Sequence, residues 1–305
     1  MPRLLLQKFI HQYMKITGIT IIRNAIKNDY PIVEAISSIL PVVDEMIVSV
    51  DKGEDDTEQL IRSIASPKIK IVFSEWDMNL RHGGQVLAVE TNKVLQQVPA
   101  DSDWIFYIQA DEAVHEKYHR NILDAAKKYK DDKKVEGLLF KYLHFYGTYD
   151  YLADSRKWYN CETRIIRNDK NITAYRDAQG FRKGDTKLDV AAIDAYVYHY
   201  GWVKTPQQMK AKQKNVSRYW AEDGEAFDAF LASEDFFDFN DFDSLQKFKG
   251  THPVIMQQRI HEQSLKLDLN INKKKLSSKN KFLYWFERLT GKRLFAFRNH
   301  RIVRK

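Results

Sequence analysis

One short run in this 305-residue sequence combines residue types and placement that point directly at chemistry. Ile105-Phe106-Tyr107-Ile108 reads as an apolar strand, and Gln109-Ala110-Asp111-Glu112 delivers carboxylates at its C-terminal end. Carboxylates desolvated side by side repel each other, so a cation is the natural counter-charge. Magnesium or manganese suits the position: both take oxygen ligands and commonly use one or two protein carboxylates, with substrate phosphates completing the shell. The alternative is that Asp111 merely caps the following helix. Asp51 ends a second strand-like run and either lines a pocket or opens the turn Asp51–Asp56, whose glycine and acids are ordinary turn chemistry. Arg81, ahead of Gly83-Gly84, offers a charge-assisted donor to phosphate or is a solvated arginine before a helix. His199 lies among alternating aromatics, where a lone histidine is ordinarily packed.

These residues need a scaffold, and the first 110 residues supply strand-helix repetition. Ile16–Ile22, Met46–Val50, Ile69–Phe73 and Trp104–Ile108 read as strands. Tyr30–Leu40, Asp56–Ile64 and Gln85–Val98 carry apolar residues at helical spacing. Short connections between them predict a parallel sheet covered by helices on both faces. Ligands bind such sheets outside the carboxyl ends of the strands, so functional residues should follow Ile22, Val50, Phe73 and Ile108. Beyond Lys134, strands are expected at Val135–Leu143, Thr163–Ile166 and Tyr196–Tyr200, and helices at 205–220 and 253–267. Between the helices, Glu222–Asp243 holds nine acids and no base, with six phenylalanines expected mostly in the core.

Composition narrows the function. Apolar residues at 44% suffice for a substantial core and exclude a disordered chain. Cys161 is the single cysteine, so no intrachain disulfide or thiolate metal site forms, in keeping with a reducing compartment. No run approaches the ~20 apolar residues of a membrane span, and Pro2–Met14 is too interrupted for an export signal. The net charge of +8 belongs to the C-terminus: twelve basic residues against one acid lie from Lys273 onward, leaving the body at −3. An extended nucleic-acid footprint is therefore disfavoured.

The arrangement resembles family 2 glycosyltransferases of the GT-A fold, bacterial type, in which an acidic motif after the fourth strand holds the metal of a nucleotide-sugar diphosphate. The resemblance runs from about Lys15 to Leu267. It is carried by Thr20–Asn24, Ser49-Val50-Asp51, Arg81–Gly84, Gln109–Glu112 and Tyr198-His199-Tyr200-Gly201-Trp202. It implies a GT-A-like nucleotide-binding α/β/α sandwich with a mostly parallel central sheet and C-terminal helices. The expected organisation is an appendage at 1–14, a catalytic domain at 15–270 and a basic aromatic tail at 271–305. Asp111 and His199 would hold Mg²⁺ or Mn²⁺. Asn24, Asp51, Arg81, Gln109 and Lys204 would contact the nucleotide-sugar donor, Lys204 by neutralising the leaving diphosphate. The usual motif begins with Asp, whereas this sequence has Gln109, so one carboxylate of the standard pair is missing.

The function implied is an inverting, metal-dependent transfer of a sugar from a nucleotide diphosphate to an acceptor hydroxyl, in bacterial surface glycan synthesis. The base would be a carboxylate: Asp177 first, Asp189 second, Glu162 third. The setting expected is cytoplasmic, at the inner face of the cytoplasmic membrane. There Phe282, Leu283, Trp285, Phe286 and Leu289, set among basic residues, would form an interfacial helix near a glycan or lipid-linked acceptor; the alternative is that these aromatics pack back on the catalytic domain with the charges facing water. Two alternatives stand beside this reading. A nucleotidyltransferase lacks support because Arg23-Asn24-Ala25-Ile26 is no glycine-rich phosphate loop. A non-catalytic nucleic-acid binder would have to rely on the basic tail.

Overall fold

The computed structural model describes residues 14–80, 82–220, 224–233 and 235–303. Its first half alternates β1 (Ile16–Ile22), α1 (Ile32–Ile39), β2 (Glu45–Asp51), α2 (Thr57–Arg62), β3 (Ile69–Ser74), α3 (Gln85–Leu95) and β4 (Trp104–Tyr107). The four strands pair in parallel in the order β3-β2-β1-β4. All seven residues of β1 and all four of β4 are buried, as expected of strands covered on both faces. Ile16, Ile22, Trp104 and Phe106 pack with Ile36 and Ile39 of α1. Ile19, Ile21, Ile105 and Tyr107 face the other way, toward Val86, Val94 and Leu95 of α3. The period-two side-chain alternation of a strand thus feeds two separate cores.

The second half is β5 (Glu112–Val114), α4 (His119–Tyr129), β6 (Gly137–Ala153), β7 (Cys161–Arg167), β8 (Ile172–Tyr175), β9 (Gly180–Lys183), β10 (Thr186–Val203), α5 (Pro206–Ser217), α6 (Glu225–Ala232), β11 (Leu245–Lys247), α7 (Gln257–Glu262), α8 (Ser278–Thr290) and β12 (His300–Ile302). β7 joins β4 antiparallel, and the long strands β6 and β10 run parallel to each other beyond it. The expected α/β class, with a block of parallel strands covered by helices on both faces, is the fold observed. The strands beyond Lys134 are far longer than the apolar runs suggested. The helix expected at 253–267 is a single turn at Val254–Met256 that runs into α7 and stops at Glu262.

Of residues 271–305, expected as a basic aromatic tail, the described part packs on the domain. β12 pairs with β10 in parallel, Val303 reaches the α1-side core, and Leu283 of α8 is buried. Ser277 caps α8 by accepting from Asn280 N, and Gly291 closes it in the left-handed conformation. Of the acidic stretch, Phe239 and Phe242 are buried while Phe236 is exposed. Of the expected N-terminal appendage, residues 1–13 lie outside the described residues.

Candidate functional site

A cavity of ≈ 240 Å³ opens at the carboxyl ends of β1 and β4, lined by Arg23, Tyr30, Gln109, Asp111, Asp177, His199 and Lys212. The position is the one where open α/β sheets bind ligands. Trp76, Tyr107, Tyr219 and Trp220 add flat aromatic walls, and the Trp76 indole N–H has no hydrogen-bond partner among the described residues. Aromatic faces of this kind suit a nucleobase or sugar ring.

Asp111 follows β4, and the short β5 sets it against β10. His199 is the partner of Glu112 in the β5–β10 register, and Tyr200 N donates to Asp111 O at 2.7 Å. This leaves Asp111 Oδ2 3.7 Å from His199 Nε2. Gly201 permits the approach: a Cβ there would lie 2.5 Å from Asp111 Oδ2 and 2.9 Å from the imidazole. A third group comes from α5, where Thr205 and Gln208 form a capping box with Pro206 at the first turn. That start directs Lys212 inward, its Nζ 3.1 Å from Asp111 Oδ2 and 2.9 Å from Gly201 O. Burial pushes the Asp111 carboxyl up, but Lys212, His199 and Lys204 outweigh it and hold it well below the usual carboxylate range. Burial lowers His199, against the pull of Asp111 and Glu112, so its imidazole favours the neutral form.

These residues fit a divalent cation. Two donors each ~2.1 Å from one ion lie at most about 4.2 Å apart, and the Asp111–His199 pair at 3.7 Å meets that limit. Among the described residues no cluster of three or more His, Cys, Asp or Glu could hold a metal alone. Phosphate oxygens or water would have to complete the shell.

The second carboxylate of the motif has a different counter-charge from the cation expected. Glu112 is fully buried and takes Arg164 of β7 in two hydrogen bonds, Nη2 at 2.7 Å and Nε at 3.0 Å, with the Tyr142 hydroxyl at 2.6 Å. Gln109 belongs to this same cluster. Its Oε1 accepts from Arg164 Nη2 at 3.3 Å, and its Nε2 donates to Ala178 O at 3.5 Å. A carboxylate at 109, half-buried beside Glu112, would give one guanidinium a second anion to neutralise, which an amide avoids.

Several other expected residues stand apart from this cavity. Asp51 turns inward, accepting from Trp76 N at 2.8 Å, from Gly53 N at 3.0 Å and from Arg23. It lines a neighbouring depression of ≈ 540 Å³ and is linked to the cavity through Arg23 and Trp76. Asn24 adopts a positive φ of 53° and its Oδ1 accepts from Glu54 N at 2.7 Å, holding a turn. Lys204 is buried against the Asp29 carbonyl in a separate groove with Arg259. Burial there pushes it down to about 7, helped by Lys212. Asp189 sits at the far end of β10, bound by Arg301 of β12 at 2.8 and 3.0 Å, and does not line the cavity. Arg81 lies outside the described residues.

Lys212, Arg164, Trp76 and Tyr219 were not anticipated. Lys212 has a helix-start signal at Thr205-Pro206 but nothing in the sequence pairs it with a carboxylate 101 residues earlier.

No family model and no curated protein matches the chain by sequence. Among solved structures it is similar to S. aureus TarS, at 16% identity and a TM-score of 0.38, over 67% of this chain and 39% of that chain. It is similar to S. aureus TarS 1-349 in complex with UDP at 17% identity and a TM-score of 0.38, over 72% of this chain and 70% of that one. A third likeness is to glucosyl-3-phosphoglycerate synthase from Mycobacterium tuberculosis in complex with Mn2+, UDP and phosphoglyceric acid, at 17% identity and a TM-score of 0.31, over 44% of each chain. The match thus spans well under half the length of the TarS chain.

Proposed function

We propose that this chain is a glycosyltransferase that moves a sugar from a nucleotide diphosphate to an acceptor hydroxyl with inversion, in assembly of a bacterial surface glycan. The observation that carries the reading is the convergence of Asp111, His199 and Lys212 at the carboxyl end of β4, inside an aromatic-walled cavity. A nucleoside diphosphate needs flat faces for its base and positive charge for its phosphates, and the cavity has Trp76 and Tyr219 for the first and Arg23 and Lys212 for the second.

Asp111 and His199 would hold Mg²⁺ or Mn²⁺, which when bound supplies charge stabilisation for the departing diphosphate. Lys212 is already positioned for the same charge and takes the role expected of Lys204. Arg164 holds Glu112 and Gln109 and thereby fixes the backbone that presents Asp111. Asp177, on the cavity wall beside Gly84, is assigned to hydroxyls of the donor sugar.

The same reading puts the enzyme at an anionic membrane surface. Phe282, Trp285 and Leu289 project from one face of α8 with exposures of 59, 57 and 68%, and Phe295 and Phe297 beyond the helix are also exposed. Lys279, Lys281, Arg288 and Lys292 border that face. Basic residues around exposed aromatics match an anionic bilayer, each contributing on the order of 1 kcal/mol. No helix of the described residues is long and apolar enough to cross a membrane.

Calorimetry with UDP and GDP in the presence of Mn²⁺ tests the donor assignment. Binding of one nucleotide by the wild type, weakened at least tenfold in Asp111→Asn with an unchanged circular dichroism spectrum, is the expected result. Equal binding by both proteins would reject it.

A further inference from the structure

His199 has a second ring nitrogen, and the structure gives it a partner 55 residues away in the chain. In the β6–β10 pairing His199 stands directly beside His144, and the register then slips between His199 and Trp202, the stretch that holds Gly201. Paired positions of neighbouring strands project from the same face of a sheet, so the two rings meet. Their centroids lie 5.0 Å apart, and Nδ1 of one is 3.3 Å from Nδ1 of the other.

His144 is buried and clamped by aromatic rings. Tyr159 meets it edge-on at 4.4 Å, Trp158 lies at 5.1 Å, and Tyr142 stacks on it at 5.5 Å with its own hydroxyl tied to Glu112. The other nitrogen of His144, Nε2, is 2.7 Å from Tyr159 O. That carbonyl belongs to the loop 154–160 between β6 and β7, held in place where Tyr142 N donates to Asn160 O at 3.0 Å.

These contacts assign the protons. A backbone carbonyl only accepts, so His144 Nε2 carries a hydrogen and donates it to Tyr159 O. Burial holds the His144 imidazole well below its ordinary range, so the ring is neutral and its Nδ1 keeps a lone pair. His199 Nδ1 is therefore the donor of the bond between the rings, and in a neutral His199 this leaves Nε2 bare. The bare nitrogen faces Asp111 Oδ2 across 3.7 Å. Neither atom has a hydrogen to give the other. Lys212, 3.1 Å from Oδ2, supplies charge to the oxygen, whereas a divalent cation would take both lone pairs. The opposite tautomer would put a hydrogen on Nε2, turn it into a donor to Asp111 and remove the second ligand.

We propose that His144 is a positioning residue of the metal site: by accepting from Nδ1 of His199 it fixes the tautomer whose Nε2 can ligate a divalent cation, and the Tyr159 carbonyl sets the direction of the relay. The assignment rests on the metal reading of Asp111 and His199 given above. A ligating histidine ordinarily donates its other N–H to a carboxylate, a carbonyl or water. Here the acceptor is a second imidazole, and its neutrality suits the place, because a carboxylate there would be a third buried anion beside Asp111 and Glu112.

Two substitutions separate the relay from packing. In His144→Asn the amide oxygen stands near the place of the imidazole Nδ1 and still accepts from His199, but the ring is lost. In His144→Phe the ring stays against Tyr159, Trp158 and Tyr142 and accepts nothing. Calorimetric titration of Mn²⁺ with UDP present should show affinity weakened about 10- to 100-fold in His144→Phe and within about threefold of wild type in His144→Asn. A packing role predicts the reverse order. In the metal-free protein, proton–nitrogen NMR correlations of labelled histidine should place the His199 hydrogen on Nδ1 in the wild type and on Nε2 in His144→Phe, with His199→Asn identifying the signals by their loss. The wild-type spectrum carries the test even where a variant fails to fold. A hydrogen on His199 Nε2 in the wild type, or tighter Mn²⁺ binding by His144→Phe than by His144→Asn, would overturn the proposal. A wild type with a bare Nε2 that takes up no Mn²⁺ would instead remove the metal reading and leave the tautomer relay standing.

Discussion

Replacing Glu162 by Gln should make the protein more stable than the wild type in alkaline solution and no more stable in acid. The carboxyl titrates near 8 in the folded chain against 4.5 when unfolded, because burial disfavours its charged form. Below pH 4.5 both states hold the proton and the group contributes no difference. Between 4.5 and 8 the unfolded chain has released a proton that the native state keeps, so native stability falls as pH rises, and above 8 the loss levels off. At about 1.4 kcal/mol per pH unit, the whole interval amounts to a loss on the order of 5 kcal/mol. Gln fills the same volume and does not titrate. The variant should therefore match the wild type near pH 5 and exceed it near pH 8.5, by roughly 10 °C in melting temperature for a chain of this size. Scanning calorimetry of both proteins at pH 5, 6.5 and 8.5 measures the divergence. Melting curves offset by the same amount at every pH would refute the reasoning, since they would mean that the carboxyl ionises in the folded protein as it does in water.

Three further outcomes follow from the geometry. His199→Ala should weaken Mn²⁺ binding in the presence of UDP by tenfold or more, read by calorimetry; unchanged affinity would return His199 to a packing role. Arg164→Met leaves Glu112 buried without its counter-ion and should cost about 3–5 kcal/mol in urea unfolding, whereas a loss under 1 kcal/mol would show that water reaches Glu112. Combined Phe282→Ser, Trp285→Ser and Leu289→Ser should abolish salt-sensitive co-sedimentation with phosphatidylglycerol vesicles. These exposed side chains are better targets than deletion of residues 273–305, which would strip β12 from β10. Equal sedimentation by variant and wild type, or none by either, would reject the membrane surface.

The parallel block was legible because a strand buried on both faces is written as a mostly apolar run: β4 is wholly apolar, β1 is broken only by Thr17, Gly18 and Thr20, and β2 only by Ser49 between its terminal acids. The place of Asp111 was legible for a related reason, since the carboxyl end of a parallel strand is a ligand position whatever the residue there. The lengths of β6 and β10 were not. Lys141 and Asp150, and Asp189 and Asp194, interrupt the apolar pattern in them, and only pairing with neighbours carries those residues as strand.

What the sequence withheld most consistently was the counter-charge of each carboxylate. Asp51, Asp111 and Glu112 at strand ends and Asp189 between elements all looked alike as acids, yet each has its own cation from a distant part of the chain: Arg23 at 28 residues, Lys212 at 101, Arg164 at 52 and Arg301 at 112. Those separations lie beyond any local spacing rule, and the pairings exist only once the sheet order has brought the strands together. The partner then decides the role. Glu112, with two guanidinium bonds and a tyrosine hydroxyl, is a structural anion, and Asp189 ties an edge strand. Asp111 shares its ammonium with Gly201 O at a cavity wall, beside a neutral imidazole, and so retains an oxygen that a ligand can reach. Glu162 differs from all four, because the side chain bonded to it is the neutral amide of Gln179. With no cation bonded to it and Arg164 acting only at a distance, its charge is disfavoured by burial, and a carboxylate in that condition gains most from taking up a proton.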